Sequence, residues 1–510
     1  MSTSLNAQSR RQALARLQDN DHVWDVLVIG GGITGAGVAL DAASRGLSVA
    51  LVEKHDLAFG TSRWSSKLAH GGLRYLASGN VGIARRSALE RGLLLTTIAP
   101  HLTRTLPQVV PVLPGFSLAN KILPRLGFLA GDFLRIAAGT PSRILPRSRT
   151  IGAKKVRELA PTVTTHGLRF GYLNYDGQLL DDARLVTAIA RTAAAHGASI
   201  ITHAGVGAIN TDGALPEVEI FDALDDGYYR TRARHIINAT GVWAGELADD
   251  IRIRPSRGTH LVVNAAKLGN PTGSLTVPIP GETNRFVFVL PAPHRRVYIG
   301  LTDEPHPGAI PDEVVAPESD VEFLLSVINT ALASPLQRED VLATFAGLRP
   351  LIDAGEAKTA DLSREHAILE TAPGVLTVTG GKLTEYRLMA EQTVDKVAPK
   401  LPCRTKQIPL LGAGAVPPKP PAAPADIWET LVARYGCEAE AVVKQCTNPF
   451  KPVFAGADVY RCEFAWFVTH EGALTVSDMV DRRCRLGLVA ADFEAARKTA
   501  EEILALAENY

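Results

Sequence analysis

The feature that most constrains this chain is one uninterrupted strand–turn–helix–strand unit near its N-terminus. Asp25-Val-Leu-Val-Ile29 is a short apolar run of the buried-strand type. Gly30-Gly-Gly-Ile-Thr-Gly35 follows, and Ala36 to Arg45 reads as a helix closed by Gly46 at a C-cap position. Leu47-Ser-Val-Ala-Leu-Val52 is a second strand, and Glu53 ends it. In a G-x-G-x-x-G turn the first glycine permits a tight bend, the second lets the backbone approach a pyrophosphate, and the third lets helix pack on strand. The anion then meets N–H groups at the helix N-terminus. A carboxylate about twenty residues on accepts hydrogen bonds from a ribose diol and repels a 2′-phosphate. The glycine run alone is weak evidence. With strand, helix, second strand and acid all in place, the unit predicts an α/β dinucleotide-binding fold. Its contacts are expected at Gly30, Gly31, Gly32, Ile33, Thr34, Gly35 and Glu53.

At 510 residues the chain exceeds one compact core, and two or three domains are expected. Asp181-Asp182 can cap a helix from Ala183 to His196, with Ala198–Thr202 as the next strand. His235–Ala239 and Val375–Thr379 read as further strands, the latter followed by a helix from about Leu383. His260–Val263, Arg285–Leu290 and Arg296–Gly300 lie between Pro/Gly-rich turns and suggest an inserted antiparallel sheet. His294-Arg295-Arg296 reads as a solvated hairpin turn. The division expected from these patterns is an N-terminal extension at 1–22 and a cofactor domain from 23–100, 166–255 and 340–400. A substrate or cap region comes from 101–165 and 256–339, a Pro/Ala linker spans 411–425, and a helical C-terminal domain spans 426–510.

The formal net charge of +1 gives no reason to expect nucleic acid as a partner. Five cysteines, all from Cys403 onward and none in C-x-x-C spacing, read as reduced thiols, and no metal site is expected. Neither a signal peptide nor a spanning apolar stretch is evident, which predicts a cytoplasmic protein. Residues 117–138 place Leu118, Ile122, Leu126, Leu129, Phe133 and Ile136 at helical spacing, with Lys121, Arg125, Asp132 and Arg135 on another face. Such a basic amphipathic helix either lies in a membrane interface or packs on the protein's own core, and Pro124 would break or kink it.

The glycine motif does not choose between NAD and FAD. Asn238-Ala-Thr-Gly241 resembles the second cofactor-contacting segment of the glutathione-reductase-like flavoproteins. Thr379-Gly-Gly-Lys382 precedes a helix whose N-terminus could stabilise negative charge on a reduced flavin ring. Together they favour FAD. The block Thr61-Ser-Arg-Trp-Ser-Ser-Lys-Leu-Ala-His-Gly-Gly-Leu-Arg-Tyr-Leu76 strongly resembles the T-S-x-x-S-S-K-L-x-H-G-G-L-R-Y-L block of the FAD-dependent glycerol-3-phosphate dehydrogenases. Similar blocks follow in order, among them Arg257-Gly-Thr-His-Leu-Val-Val263, Gly300-Leu-Thr-Asp303, Gly347-Leu-Arg-Pro-Leu351, Ser363-Arg364 and Gly380–Arg387. The resemblance spans residues 25 to about 490 and is weakest over 100–165.

That resemblance implies oxidation of sn-glycerol 3-phosphate to dihydroxyacetone phosphate, with electrons passing to FAD and then to membrane quinone at the cytoplasmic face. A homodimer is one assembly open to it. It implies further cofactor contacts at Thr61, Ser62, Ser66, Lys67, His70, Gly71, Gly72, Val206, Thr240, Gly241, Gly381, Lys382 and Leu383. A phosphomonoester needs cations, and Arg74, Arg349, Arg364 and Lys382 fall in the matching blocks, Arg349 among the expected catalytic residues. His260 is the expected general base, with His70 as its rival, and Tyr75 is expected to orient the substrate. Three alternatives stand beside this reading: an oxygen-reducing oxidase, an amine or amino-acid oxidoreductase of the same fold, and a flavin-binding regulatory protein. The short path from Leu351 to Gly380 favours the dehydrogenase over the oxidase.

Overall fold

The computed structural model describes residues 3–19, 21–72, 80–248, 250–282, 285–352 and 365–507. Two sheets organise it. The first has eight strands, with the path His366–Ala372, Val375–Gly380, Gly227–Asn238, Val23–Ile29, Val49–Val52, Ser199–Ile201. The last five of these run parallel, and an antiparallel hairpin, Ala204–Asn210 with Glu217–Asp222, extends the Gly227–Asn238 strand. Alternate side chains of the central strand face opposite layers. Val26 and Val28 pack under the helices Ile33–Ser44, Asp182–Ala195 and Tyr386–Val397. Leu27 and Ile29 pack on the N-terminal helix Ala7–Leu17 and on the hairpin. Burial on both faces explains why this strand is an apolar run without alternation.

The second sheet has ten strands and is antiparallel except where Ser274–Pro278 meets Thr103–Pro111. Its longest pairing joins Ile253–Asn264 to Val341–Ile352. The second sheet cuts across the division expected from sequence. Leu68–Ala69, Phe170–Leu179 and Val341–Ile352 fall within its cofactor segments, yet all three belong to the second sheet. An apolar strand does not announce its partner, and pairing between distant segments decides its sheet.

The helix Leu118–Ala137 runs through Pro124 without interruption, with Ser117 capping its start by accepting from the Asn120 N–H. Its apolar stripe stays in solvent: Leu118 is 74% exposed and Phe133 73%. The turn at His294 is not solvated as expected. The His294 ring is buried against Asp458 and the Cys484 carbonyl, and Arg296 reaches Asp492. This turn is a docking point for the C-terminal helices.

Those helices, Ala425–Tyr435, Ala439–Val443, Arg461–His470 and Ala490–Ala507, share one core and grip the first sheet through buried ion pairs. Arg184 meets Glu471 at 2.9 Å, and Asp56 accepts from both Arg482 and Arg483 at 2.7 Å. The start of the expected linker is pinned, since Leu410 N–H donates to Ile98 and Leu411 N–H to Thr192. Gly412 sits so close to His101 that a Cβ there would lie 2.6 Å from its Nε2.

Burial, with the charges of Arg184 and Arg191 beside it, lowers the His101 pKa to about 4. The folded protein therefore keeps this ring neutral, while the unfolded chain takes a proton below about pH 6.5. Stability conferred by the neutral ring is full above pH 6.5 and is lost as pH falls toward 4. The loss is about 3 kcal/mol by linkage. Urea unfolding of wild type and His101→Gln between pH 7 and 4 checks this. The variant is expected to lose less stability over that range.

Candidate active site

A single cavity of about 1140 Å³ runs between the two sheets, large enough for a dinucleotide with a small molecule beside it. At one end the Ile33–Ser44 helix points its N-terminus at the space. Gly32 is its N-cap, makes no side-chain cap bond, and no acidic side chain occupies the first turn. Such a helix end offers N–H groups and positive potential to an anion. Gly30 has φ +108°, and a Cβ on Gly35 would collide with the Gly30 carbonyl, so the helix lies directly on the turn. Gly30, Gly32, Ile33 and Thr34 line the cavity, while Gly31 and Gly35 lie behind them. The Ser62 hydroxyl also lines it and accepts from the Ile33 N–H at 2.9 Å.

Glu53 closes the second strand at the cavity edge. Its carboxylate accepts from the Gly31 N–H at 2.5 Å and the His55 N–H at 2.9 Å. Burial pushes its carboxyl above the ordinary range, against those two hydrogen bonds. Val206, Thr240 and Gly241 continue the wall, and Thr240 is fixed by its hydroxyl donating to Asn238 at 2.7 Å. Gly381, Lys382 and Leu383 also line the cavity, at the start of the turn leading into Tyr386–Val397. The residues present fit FAD: a helix N-terminus for the pyrophosphate, an acid for the ribose, and a second helix start, all lining one cavity.

The 61–72 segment divides. Thr61, Ser62, Ser66, His70 and Gly72 line the cavity. Thr61 is held by donating to the Leu348 carbonyl at 2.6 Å. Lys67 does not reach the wall. Its ammonium is buried at 3.1 Å from Asp182 and also donates to the Arg63 and Ser65 carbonyls, so its side chain braces the loop from behind. Burial lowers the Lys67 pKa, with Asp182 opposing. Gly71 likewise lies off the wall, over the Arg91 guanidinium that pairs with Asp176.

Arg349 lines the cavity, with Nη1 3.1 Å from both Ser256 and Asp303 and Nη2 3.0 Å from the Thr302 carbonyl. Lys382 lines it too, donating to Ser87 and Glu385 at 3.0 Å each. Ile352, near the end of the Arg349 strand, touches the position of Gly380, so the two cations come from adjoining elements. Arg74, Tyr75 and Arg364 lie outside the described residues.

His260 is not on the wall. It is fully buried, and its Nε2 is 2.9 Å from the Ser66 hydroxyl, which does face the cavity. Burial, then the charges of Lys67 and Arg349, hold its pKa well below the ordinary imidazole value. In this structure the His260 ring reaches the cavity wall through Ser66. His70 is on the wall, two residues past the start of the short strand Leu68–Ala69. Asp303 and Asp182 are organising residues that sequence reasoning left without a role. Asp303 sat in the quoted Gly300–Asp303 block, while Asp182 had been read only as a helix cap.

Comparison with known proteins agrees with this geometry. Residues 25–387 match the family of FAD dependent oxidoreductases, and residues 403–510 match the C-terminal domain of alpha-glycerophosphate oxidase. The chain is 55% identical to glycerol-3-phosphate dehydrogenase 1 of Mycobacterium tuberculosis over 99% of both chains. It is 34% identical to the mitochondrial glycerol-3-phosphate dehydrogenase of Arabidopsis thaliana, over 94% of this chain and 82% of that one. The crystal structure of the Bacillus halodurans glycerol-3-phosphate dehydrogenase with FAD superposes with a TM-score of 0.72 at 26% identity, covering 98% of this chain and 94% of that one. The Mycoplasma pneumoniae L-alpha-glycerophosphate oxidase shares the fold at a TM-score of 0.58 and 19% identity, covering 76% of this chain and 99% of that one. A dinucleotide cavity with these blocks around it, matched along its whole length, assigns FAD as cofactor, and the chain belongs to the FAD-dependent glycerol-3-phosphate dehydrogenase family.

Proposed function

We propose that this protein oxidises sn-glycerol 3-phosphate to dihydroxyacetone phosphate and passes the electrons to a membrane quinone. The observation that carries the substrate is the pair of cations, Arg349 and Lys382, on adjoining elements of the wall. The Arg349 guanidinium is oriented by Ser256, Asp303 and Thr302, and a planar guanidinium held in the wall suits the geometry of a phosphate. Arg74 and Arg364 add to that pocket in this reading, and Tyr75 orients the glycerol moiety. Bound FAD supplies the hydride acceptor. His70, an imidazole on the wall, takes the hydroxyl proton in this reading. Anaerobic addition of glycerol 3-phosphate to the purified flavoprotein is expected to bleach the flavin absorbance. A quinone analogue is expected to restore it much faster than oxygen. Bleaching by an amine or amino acid instead would move the chain to another branch of the fold.

The quinone arm rests on the Leu118–Ala137 helix. One side exposes Leu118, Ile122, Leu129, Phe133 and Ile136 to solvent, while Leu123, Pro124, Gly127 and Phe128 line the cavity. An apolar acceptor leaving a bilayer under this helix would meet the cavity wall directly. Lys121 and Arg125 suit anionic lipid, and among the described residues no helix is long and apolar enough to cross the membrane. Replacing both Leu118 and Phe133 by serine is expected to weaken binding to anionic vesicles by on the order of 3 kcal/mol, about a hundredfold. Co-sedimentation measures it. Because both side chains are exposed, glycerol 3-phosphate should still bleach the flavin of the variant in solution.

A further inference from the structure

We infer that His260 is a positioning residue that donates its Nε2–H to the Ser66 hydroxyl, so that the Ser66 proton is aimed into the cavity at an oxygen of the bound substrate. The inference rests on the substrate reading above and adds two roles to it. The His260 ring is fully buried and lies flat on Phe345, with centroids 4.6 Å apart and planes at 14°. On the neighbouring strand Gly300 stands opposite, and a Cβ there would overlap the imidazole Cδ2. The ring is thus slotted between an aromatic face and bare backbone and cannot swing to the wall. Its one outward contact is Nε2 to Ser66 Oγ at 2.9 Å. Its Nδ1 has no hydrogen-bond partner among the described residues.

Hydrogen-bond accounting then selects the tautomer. A proton on Nδ1 would bury an N–H with no acceptor and would use the serine proton on Nε2. A proton on Nε2 leaves only a lone pair unsatisfied and frees the serine proton to point away. An imidazolium would bury the orphan N–H and add charge beside Lys67 and Arg349, whose own charges are already met by Asp182 and Asp303. The low basicity that burial and those cations impose agrees with a ring that stays neutral. Ser66 opens onto the wall where Gly258 and Gly347 face each other across two strands, with Arg349 two residues on. Gly258 shares its strand face with His260, as Gly347 does with Phe345 and Arg349. The hydroxyl proton emerges beside bare backbone bounded by the phosphate-binding cation.

Four variants and one spectrum test this. Ser66→Ala and His260→Phe are each expected to slow flavin reduction by glycerol 3-phosphate about fiftyfold, the order seen when one preorganised donor is removed. The double variant should be no slower than either single one, since both remove the same donor. His260→Gln, whose amide N–H can stand in for Nε2–H, should stay within about threefold of wild type and keep the wild-type pH–rate profile. Nitrogen NMR of histidine-labelled wild-type holoenzyme should show the Nε2–H tautomer of His260, assigned by its absence in His260→Gln, unchanged down to pH 5. Additive losses in the double variant, a shifted pH–rate profile in His260→Gln, or an Nδ1–H or cationic ring at pH 7 would overturn the inference. If glycerol 3-phosphate fails to bleach the wild-type flavin, the substrate reading falls. The NMR tautomer still decides the His260–Ser66 pairing.

Discussion

Replacing Asp56 by alanine is expected to destabilise the protein by about 3–5 kcal/mol, the usual cost of removing one partner from a buried ion pair. The carboxylate is fully buried and accepts from Arg482 Nε at 2.7 Å and from both Arg483 Nη atoms at 2.7 and 2.8 Å. Its removal takes a carboxylate from two guanidinium groups and strands one of them. Arg482 keeps Asp478 at 2.7 Å, but Arg483 is left with the Glu471 carbonyl at 3.0 Å, which carries no full charge. The substitution also acts on the cofactor end. Asp56 follows Glu53 by three residues, and the intervening backbone is held by hydrogen bonds from His203 to His55 and from Ala204 to Glu53. Loosening that segment should weaken FAD retention about tenfold, read by flavin fluorescence on dilution. Denaturant unfolding gives the stability term. The double variant Asp56→Ala/Arg483→Leu should recover part of the loss, since the orphaned charge is gone. A change below about 1 kcal/mol in the single variant would mean that water reaches the pair or that the C-terminal helices dock by other contacts.

What could be read from the sequence was what is local in it. The turn from Gly30 to Gly35 and the acid at Glu53 lie within one strand–helix–strand unit, so their roles follow from spacing alone. The helix start was misplaced by three residues because Gly32 caps it, and glycine gives no side-chain signal for a cap. Contacts between distant segments were illegible. Lys67 and Arg349 are both cations in family-like blocks, and only the fold sends one to Asp182 and leaves the other on the wall. The His260 ring lies flat on Phe345, a residue far along the chain that no periodicity links to it. The His294 turn looked solvated because its neighbours in sequence are polar, yet its neighbours in space belong to the C-terminal helices. The strand Val341–Ile352 was not recognised for the same reason: its register with Ile253–Asn264 is a property of two segments, and neither records the other.

Arg349→Lys is expected to lower kcat/KM for glycerol 3-phosphate by on the order of 3 kcal/mol, somewhat more than a hundredfold, while leaving FAD affinity unchanged. The guanidinium does two things at once. Nη1 and Nη2 bind Ser256, Asp303 and the Thr302 carbonyl, and this fixes the plane of the guanidinium at the cavity wall. An ammonium is a point donor and cannot keep three wall contacts and a two-point grip on phosphate. Lysine is preferable to alanine as the test, because it leaves a charge for Asp303, whose side chain is only 8% exposed. A purely structural role and a phosphate-binding role then separate by substrate. If Arg349 holds the phosphate, the loss should be large for glycerol 3-phosphate and small for glycerol, so that the ratio of the two kcat/KM values collapses. Competitive inhibition by inorganic phosphate should weaken in parallel. Should both substrates slow by the same factor, Arg349 would be shaping the wall and the phosphate would have to be held from Lys382, Arg74 and Arg364. The Asp303→Asn variant sharpens the distinction. It removes the charge that orients Nη1 without removing the guanidinium, so it should raise KM for glycerol 3-phosphate several-fold and leave the glycerol rate almost unaltered.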